Sequence, residues 1–395
     1  MEKIKLPSDV EYIINSLTAQ GYRADIVGGP VRDFLLGTAP DDYDITTSAT
    51  PEQIKSVFAN ERTVDTGIRH GTVTLVKGGK SYEITTYRID GEYKDSRHPE
   101  SVCFTLNIEE DLARRDFTMN AIAYSCENGI TDPYGGRADI ARKVIRAVGD
   151  PDMRFTEDAL RILRAVRFSS RLGFAIEEKT REAIFKKKHL LHNVSSERIF
   201  TEWKKLLSGS FAYEVISEYF PIVREFLPEL QQLRLPSRVL FDRADYLVRF
   251  LSLFYLSTEK SSELYYEAAK RLKTDSKTRD LGRKVLDSVG TFDLTDEKGV
   301  AYALYCLGAD VTRVLIRLEI LLSHIDAGSE EKLDIFLKNA HPYRISDLKV
   351  GGEDLKALGI TGKNIGKILN LLILGVIDGR VANERVELLR FAMEI

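Results

Sequence analysis

The 395-residue chain contains little cysteine and no long apolar run. Its three cysteines, Cys103, Cys126 and Cys306, have no paired spacing, so neither a disulfide framework nor a zinc site is expected. No stretch approaches the roughly eighteen apolar residues of a membrane span, and the N-terminus lacks the apolar core of a signal peptide. We therefore expect free thiols in a reducing cytoplasm and no membrane segment.

Neither sign of charge dominates the composition. With 57 Lys and Arg against 60 Asp and Glu, the net charge is −3, and any affinity for nucleic acid must come from local basic patches. Residues 186–189 and 271–284 are the candidate patches, although solvated helix faces have the same composition. The length suggests about two to four domains with ample buried core.

The most informative stretch is residues 26–44, where two apolar residues, a double glycine and a short predicted helix precede Asp42 and Asp44. Glycines after a strand let backbone N–H groups approach a phosphate, because no Cβ stands in the way. Residues two apart on an extended segment point the same way, so the two carboxylates can converge. This combination suits Mg²⁺-dependent nucleotidyl transfer better than a glycine turn followed by an acidic loop.

The rest of the first half has the pattern of an α/β head. Residues 7–20 have helical spacing closed by Gly21, and residues 72–77 and 81–88 are predicted strands of a hairpin. Glu83 on the second strand is a candidate third carboxylate, although a solvent-facing strand glutamate is the commoner case. The polar, turn-rich segment 89–101 is predicted to be a mobile loop.

Two further motifs can bind a nucleotide. Arg114, Arg115 and Asp116 offer guanidinium forks for a triphosphate and a carboxylate for ribose hydroxyls, where an isolated motif would be an ion pair at a helix start. A helix is predicted over residues 157–168 with Thr156 as N-cap. It carries four polar residues at successive i+3 steps, namely Asp158, Arg161, Arg164 and Arg167. Such groups can read a nucleobase edge, or can form helix salt bridges.

Together these stretches resemble the bacterial class II tRNA nucleotidyltransferases, the CCA-adding family, whose head is shared with bacterial poly(A) polymerases. The matching segments run in family order from about residue 20 to 207, and they are GGPVRDFLLG, DYDITTSATPEQI, DTGIRHGTVTLV, YEITTYR, EYKDSRHP, EEDLARRDFTMNAIAY, DPYGGRADI, RFTEDALRILRAVRF and VSSERIFTEWKKLL. A weaker match covers residues 341–395, and residues 210–335 have only amphipathic helical patterns.

The resemblance implies an α+β fold with a polymerase-β-like nucleotidyltransferase head, a small mixed sheet with helices, followed by an all-α neck, body and tail. The expected domains are the head over 1–150, a nucleotide-selecting neck over 151–210, the body over 211–335 and a tRNA-binding tail over 336–395.

The implied activity is the addition of C, C and A to the tRNA 3′ end from CTP and ATP, without a nucleic-acid template and with release of pyrophosphate by a two-metal mechanism. Asp42 and Asp44 would be the catalytic Mg²⁺ ligands. The implied nucleotide-binding residues are Gly29, Arg32 and Arg115 around the phosphates and sugar, Asp116 by the ribose, Asp158 and Arg161 as the amino-acid template, and Arg164 and Arg167 in support. Asp95, Arg97 and Pro99 would belong to a flexible loop, and the helical part would bind the acceptor stem and T-arm.

Several alternatives remain open at this point. An enzyme that adds only CC lacks the flexible-loop motif, which residues 95–99 retain, whereas an A-adding enzyme and a poly(A) polymerase both fit. The intact carboxylates argue against an inactive RNA-binding protein. No histidine is followed directly by aspartate, which argues against the phosphohydrolase of HD-domain relatives. No obligate protein partner is evident.

Overall fold

The computed structural model describes residues 4–91 and 101–395. The chain divides into two compact units, the first ending at Phe226 and the second beginning at Leu227. The finer division into head, neck, body and tail stays a prediction. In the described ranges no helix combines the length and the apolar character needed to cross a membrane.

The first unit is built on a seven-stranded sheet with the order β3-β4-β5-β2-β1-β8-β9. Its strands are β1 (Ala24–Val27), β2 (Asp44–Thr47), β3 (Arg62–Gly67), β4 (Thr72–Lys77), β5 (Lys80–Thr86), β8 (Ala123–Ser125) and β9 (Gly129–Thr131). All neighbouring strands are antiparallel except β2 and β5, which run parallel. The predicted mixed sheet is therefore present.

The predicted hairpin forms β4 and β5. Gly78 and Gly79 make its two-residue turn with φ of +58° and +77°, which a Cβ disfavours and which matches the twist of paired strands. The second strand begins at Lys80 and ends at Thr86, slightly earlier than predicted.

Two further pairs of strands are short. Strands β6 (Arg88–Asp90) and β7 (Val102–Phe104) are antiparallel, and β10 (Val144–Ile145) runs parallel to β11 (Ala175–Ile176). Strands β6 and β7 lie on either side of residues 92–100. Strand β11 is the one strand that the described chain contains after residue 150, so the predicted helical part otherwise consists of helices and the segments that connect them.

The helices of the first unit are α1 (Ser8–Ala19), α2 (Gly29–Leu35), α3 (Pro51–Val57), α4 (Ile108–Ala113), α5 (Gly136–Arg142), α6 (Pro151–Glu157), α7 (Leu160–Leu172), α8 (Glu178–Lys187), α9 (Ser196–Leu207), α10 (Ala212–Glu218) and α11 (Phe220–Phe226). Short 3₁₀ helices occupy Ile68–His70, Thr118–Asn120 and Lys188–Asn193. Helix α1 confirms the prediction over 7–20, since Gly21 follows it with φ of +83°.

The predicted single helix over 157–168 is wrong. Asp150 caps α6 by accepting a hydrogen bond from the Asp152 N–H at 3.0 Å, and Pro151 occupies the first turn, a stronger start than Thr156. Helix α6 ends at Glu157, and Asp158 takes an extended conformation with φ −140° and ψ 102°. Its carboxylate accepts from the Leu160 N–H at 3.1 Å, so Asp158 lies at the junction of α6 and α7.

The described part of the second unit is helical. Its α-helices are α12 (Arg238–Arg243), α13 (Tyr246–Ser257), α14 (Ser261–Arg271), α15 (Ser276–Ser288), α16 (Glu297–Leu307), α17 (Ala309–Leu321), α18 (Gly328–Lys338), α19 (Gly352–Ala357), α20 (Lys363–Ile377) and α21 (Arg385–Glu394), with a 3₁₀ helix at Ile345–Asp347. Phe250, Phe254 and Tyr265 pack edge to face, and Leu355, Leu372 and Leu388 form a core among α19, α20 and α21.

Candidate active site

The double glycine forms a tight turn between β1 and α2. Gly28 has φ of +77°, and its N–H donates to the carbonyl of Ile122 at 3.0 Å. A Cβ at this position would lie 3.0 Å from Nη1 of Arg115 and 3.5 Å from the carbonyl oxygen of Asn120. Glycine is therefore required both by the backbone conformation and by the close approach of Arg115.

The two carboxylates lie at the start of β2. Asp44 is the first residue of the strand, Asp42 precedes it by two positions, and both are exposed. The pKa of Asp44 is raised because nearby protein reduces its hydration and because Asp42 adds negative charge, while Arg115 opposes the shift. The pair therefore lies close to Arg115 and the glycine turn.

The strand register places Glu83 beside Asp44, since the two are partners in the parallel β2–β5 pair. Glu83 is also exposed. Over residues 4–91 and 101–395, however, no three or more His, Cys, Asp or Glu side chains are arranged to hold a metal ion. Hard divalent cations prefer oxygen ligands, which carboxylates, substrate phosphate and water all supply. A role for Glu83 at the metal site stays a prediction.

Arg32 is buried beside the glycine turn, with 6% of its surface exposed. Its Nη1 donates to Oδ1 of Asn120 at 2.7 Å, and its Nε and Nη2 donate to Oδ1 of Asp33 at 2.9 and 2.7 Å. The guanidinium also lies 5.1 Å from the ring centre of Phe168. These contacts hold Arg32 in one orientation.

Asp116 and Arg164 form a buried ion pair between the head motif and α7. Oδ2 of Asp116 accepts from Nε and Nη2 of Arg164 at 2.8 and 2.7 Å, and Oδ1 accepts from Asn120 Nδ2 at 3.0 Å. Burial opposes ionisation, but Arg164 and these hydrogen bonds outweigh it and lower the pKa of Asp116 to about 2. Asp116 is thus a carboxylate at any physiological pH.

The two predicted template residues are each held by a partner. Arg161 donates to Oε2 of Glu157 at 2.7 Å and to the carbonyl of Arg114 at 3.0 Å, and it is 8% exposed. Asp158 accepts from Nη2 of Arg198 at 2.8 Å. The i+3 salt bridge between Asp158 and Arg161, which was the alternative to base reading, is not observed, because α6 ends at Glu157 and α7 begins at Leu160.

Helix α9 supplies a second buried partner to this region. Glu202 is 5% exposed, and its Oε2 lies 2.7 Å from Nε of Arg167, while its Oε1 lies 3.9 Å from Nη1 of Arg164. Burial lowers the pKa of Arg167 to about 10 although Glu202 opposes the shift. Arg198 and Glu202 are four residues apart on α9, so one helix face holds Asp158, Arg164 and Arg167.

The ring of Phe168 lies close to three arginines of this site. The guanidinium carbons of Arg32, Arg164 and Arg167 lie 5.1, 5.5 and 3.8 Å from its ring centre. Glu157, Arg198 and Glu202 were not among the predicted site residues. Only Glu157 had a local signal, because it precedes Arg161 by one helical turn; the partners on α9 are 35 to 40 residues away in the chain.

The remaining predicted site residues, Asp95, Arg97 and Pro99, lie outside the described residues. The structure thus brings together the glycine turn, the carboxylate pair, the Arg114–Asp116 motif and the start of α7.

Comparison with known proteins assigns the chain to a family. A model described as the poly A polymerase head domain matches residues 24–146, and one described as a probable RNA and SrmB-binding site of polymerase A matches residues 173–232. The CCA-adding enzyme of Geobacillus sp. (strain WCH70) is 37% identical over 94% of this chain and 93% of its own. The CCA-adding enzyme of Geobacillus stearothermophilus is 50% identical over 56% of each chain.

The chain belongs to the CCA-adding enzyme family.

Solved structures of the CCA-adding family agree with the assignment. The Bacillus stearothermophilus CCA-adding enzyme in complex with CTP superposes with a TM-score of 0.83 at 33% identity, covering 99% of this chain and 98% of that one. The Thermotoga maritima enzyme complexed with tRNA has a TM-score of 0.71 at 23% identity, covering 98% and 96%, which supports the fold alone. The predicted family, the α+β fold with its polymerase-type head and the nucleotidyltransferase class are confirmed.

Proposed function

We propose that this CCA-adding family member adds C, C and A to the 3′ end of tRNA from CTP and ATP, without a nucleic-acid template. The observation that carries the proposal is one site in which Asp42, Asp44 and the glycine turn lie beside Arg115. Asp116 joins this site to the start of α7 through Arg164. Full-length similarity to enzymes named for CCA addition, including one solved with CTP, supports the same reaction.

The proposed metal ligands are the carboxylates of Asp42 and Asp44. Their exposed oxygen donors suit Mg²⁺, which prefers one or two carboxylates plus substrate phosphates, and the family generally uses divalent metals. When bound, two Mg²⁺ ions would lower the pKa of the tRNA 3′-hydroxyl and neutralise the leaving pyrophosphate.

The phosphates and sugar of the incoming nucleotide are assigned to the turn and its arginines. Gly29 and Arg115 would contact phosphate oxygens, since charge-assisted bonds to phosphate favour a guanidinium beside an open backbone. Arg32 would lie near the sugar and keep that side of the pocket rigid, because its bonds to Asn120 and Asp33 hold its guanidinium in one orientation. Asp116, ionised and hydrogen-bonded to Asn120, would accept from a ribose hydroxyl.

Base selection is assigned to the α6–α7 junction. Asp158 and Arg161 would pair with the edge of cytosine or adenine, and Arg164 and Arg167 would hold the pocket in shape. Glu157 and Arg198 fix the two template side chains before a nucleotide arrives. Uracil or guanine would leave unmatched the donor and acceptor positions of these partly buried groups that face the base, which costs about 1–3 kcal/mol for each neutral position and more for a charged one.

We assign tRNA binding to the helical part, by shape and phosphate contacts on the acceptor stem and T-arm. Both basic runs carry ion pairs: Lys186 with Asp152 and Lys188 with Glu225 in the first, and Arg271 with Glu229, Lys277 with Asp310 and Arg283 with Asp287 in the second. Both runs stay candidate phosphate contacts. We also propose that the chain is divided into head, neck, body and tail, and that the protein is located in the cytoplasm.

One assay tests the proposed reaction. Purified protein is given tRNAs that end at the discriminator base, at C or at CC, each with single labelled nucleotides and Mg²⁺. Stepwise C, C and A addition is expected. Extension of only the CC-ended tRNA would instead identify an A-adding enzyme, and repeated A addition to unrelated RNA would identify a poly(A) polymerase.

A further inference from the structure

A fully buried carboxylate, Asp111 on α4, lies behind the arginine motif. Its Oδ1 accepts from Nε and Nη2 of Arg114 at 3.0 and 2.8 Å and from the N–H of Arg88 at 3.3 Å. Its Oδ2 accepts from Nη2 of Arg115 at 3.5 Å and from Oγ1 of Thr46 at 3.4 Å. One side chain therefore contacts both arginines, the first residue of β6 and strand β2 two residues after Asp44.

The charges around Asp111 explain why it stays ionised. Burial opposes ionisation of the carboxyl, but the charges of Arg114 and Arg115 outweigh burial and lower its pKa. The pKa of the Arg115 guanidinium is also lowered, which for this group disfavours the charged form. Burial and the neighbouring Arg114 cause the shift, while Asp111 and Asp44 offset part of it. Asp111 is thus the counter-charge that lets two adjacent arginines share a buried position.

Arg115 contacts Asp111 through one of its three guanidinium nitrogens, and it keeps donors with which it can bind another group. Nη2 contacts Asp111, and Nη1 lies against the glycine turn, 3.0 Å from where a Cβ of Gly28 would be. Its Nε is buried and has no hydrogen-bond partner in the described ranges. Buried donors are normally satisfied, so this side chain has hydrogen-bonding capacity beyond its contact with Asp111.

We infer that Asp111 is a positioning residue that aims the guanidinium of Arg115 at the phosphates of the incoming nucleotide. The inference rests on the proposed role of Arg115 and adds the group that orients it. Because Asp111 also accepts from Arg88 and Thr46, it ties that orientation to the base of the β6–β7 hairpin and to the strand that carries Asp44. Asp111 thereby holds the guanidinium of Arg115 in a fixed position relative to the strand that carries the carboxylate pair.

The test is Asp111→Asn, which keeps the side-chain shape and removes the charge. Misplacement of a phosphate-binding arginine should raise KM for both CTP and ATP on the order of 10- to 100-fold, with a smaller change in kcat, because the contact exists before and during reaction. The matched control is Asp25→Asn, another fully buried carboxylate of the same unit, which pairs with Arg23 and accepts from Tyr87. It should lower thermal stability while leaving both KM values within about twofold, since it lies outside the arginine cluster.

A double-mutant cycle separates the inference from the proposal beneath it. Arg115→Ala alone should raise both KM values; if it does not, the proposed role of Arg115 is wrong. If Arg115→Ala raises KM and Asp111→Asn does not, the positioning role of Asp111 is wrong. In the Arg115→Ala background, Asp111→Asn should add no more than about twofold, because a residue that acts through Arg115 has nothing left to position.

A second pair of variants covers the case in which Asp111→Asn does not fold. Thr46→Val removes a hydroxyl that lies within reach of both Asp111 and the carbonyl of Thr85, whereas Thr47→Val on the same strand removes bonds to the carbonyl of Arg23 and from the N–H of Ala49. Thr46→Val should raise both KM values by at least about threefold, and Thr47→Val should not. Equal KM values in these two variants would overturn the inference.

Discussion

Asp116→Asn should destabilise the first unit by an amount that depends on pH. The pKa of Asp116 is about 2 in the folded chain against 3.8 for an unperturbed aspartate. Each pKa unit of difference corresponds to about 1.4 kcal/mol, so ionisation of Asp116 stabilises the fold by roughly 2–3 kcal/mol at pH 7. Because the folded pKa is the lower one, this contribution is complete above the unfolded pKa and is lost as the pH falls toward 2. At pH 3 about half of it remains.

Urea unfolding of the parent and of Asp116→Asn measures this difference directly. The single tryptophan, Trp203, is fully buried on α9 in the same unit and stacks edge to face on Phe226, so its fluorescence reports unfolding of that unit. The difference in unfolding free energy should fall from roughly 2–3 kcal/mol at pH 7 to about half that value at pH 3. Other carboxylates titrate equally in both proteins and cancel.

Two results would refute the reasoning. A difference that is the same at pH 7 and pH 3 would mean that the lost hydrogen bonds, and not the charge pair with Arg164, stabilise the fold. An Asp116→Asn protein as stable as the parent at pH 7 would mean that desolvation of the buried pair cancels its attraction.

Asp42→Ala or Asp44→Ala should abolish incorporation of both CTP and ATP while tRNA binding, measured by gel shift, changes little; turnover in either variant would place the metal site elsewhere. Asp158→Ala or Arg161→Ala should admit UTP or GTP, and misincorporation measured beside thermal unfolding distinguishes this from a purely structural role of the ion pairs with Arg198 and Glu157, whose loss would lower thermal stability and leave base choice unchanged. Deletion of residues 95–99, which lie outside the described residues, should spare CC addition and suppress the terminal A, since any two-state element can reshape a pocket at modest free-energy cost. Full CCA addition at the parental rate would contradict that last prediction.

The sequence alone determined the features that depend on near neighbours in the chain. The spacing of Asp42 and Asp44, the glycine turn before α2 and the Gly78–Gly79 hairpin are local, since strand alternation and positive φ constrain residues at most a few positions apart. The order of the motifs was enough to identify the family and its polymerase-type head. These expectations required no knowledge of which segments meet.

Tertiary structure decided how the side chains of the site are held. Helices α6 and α7 are separated at Asp158 because α6 begins earlier, at Asp150 and Pro151. The i+3 spacing of the polar residues had indicated one continuous helix instead. The partnerships of Arg198 with Asp158 and of Glu202 with Arg167 join segments about 35–40 residues apart, and no periodicity within one helix can reveal them. A buried charge must find a counter-charge wherever packing brings one, so the identity of that partner is determined only when α9 packs on α7.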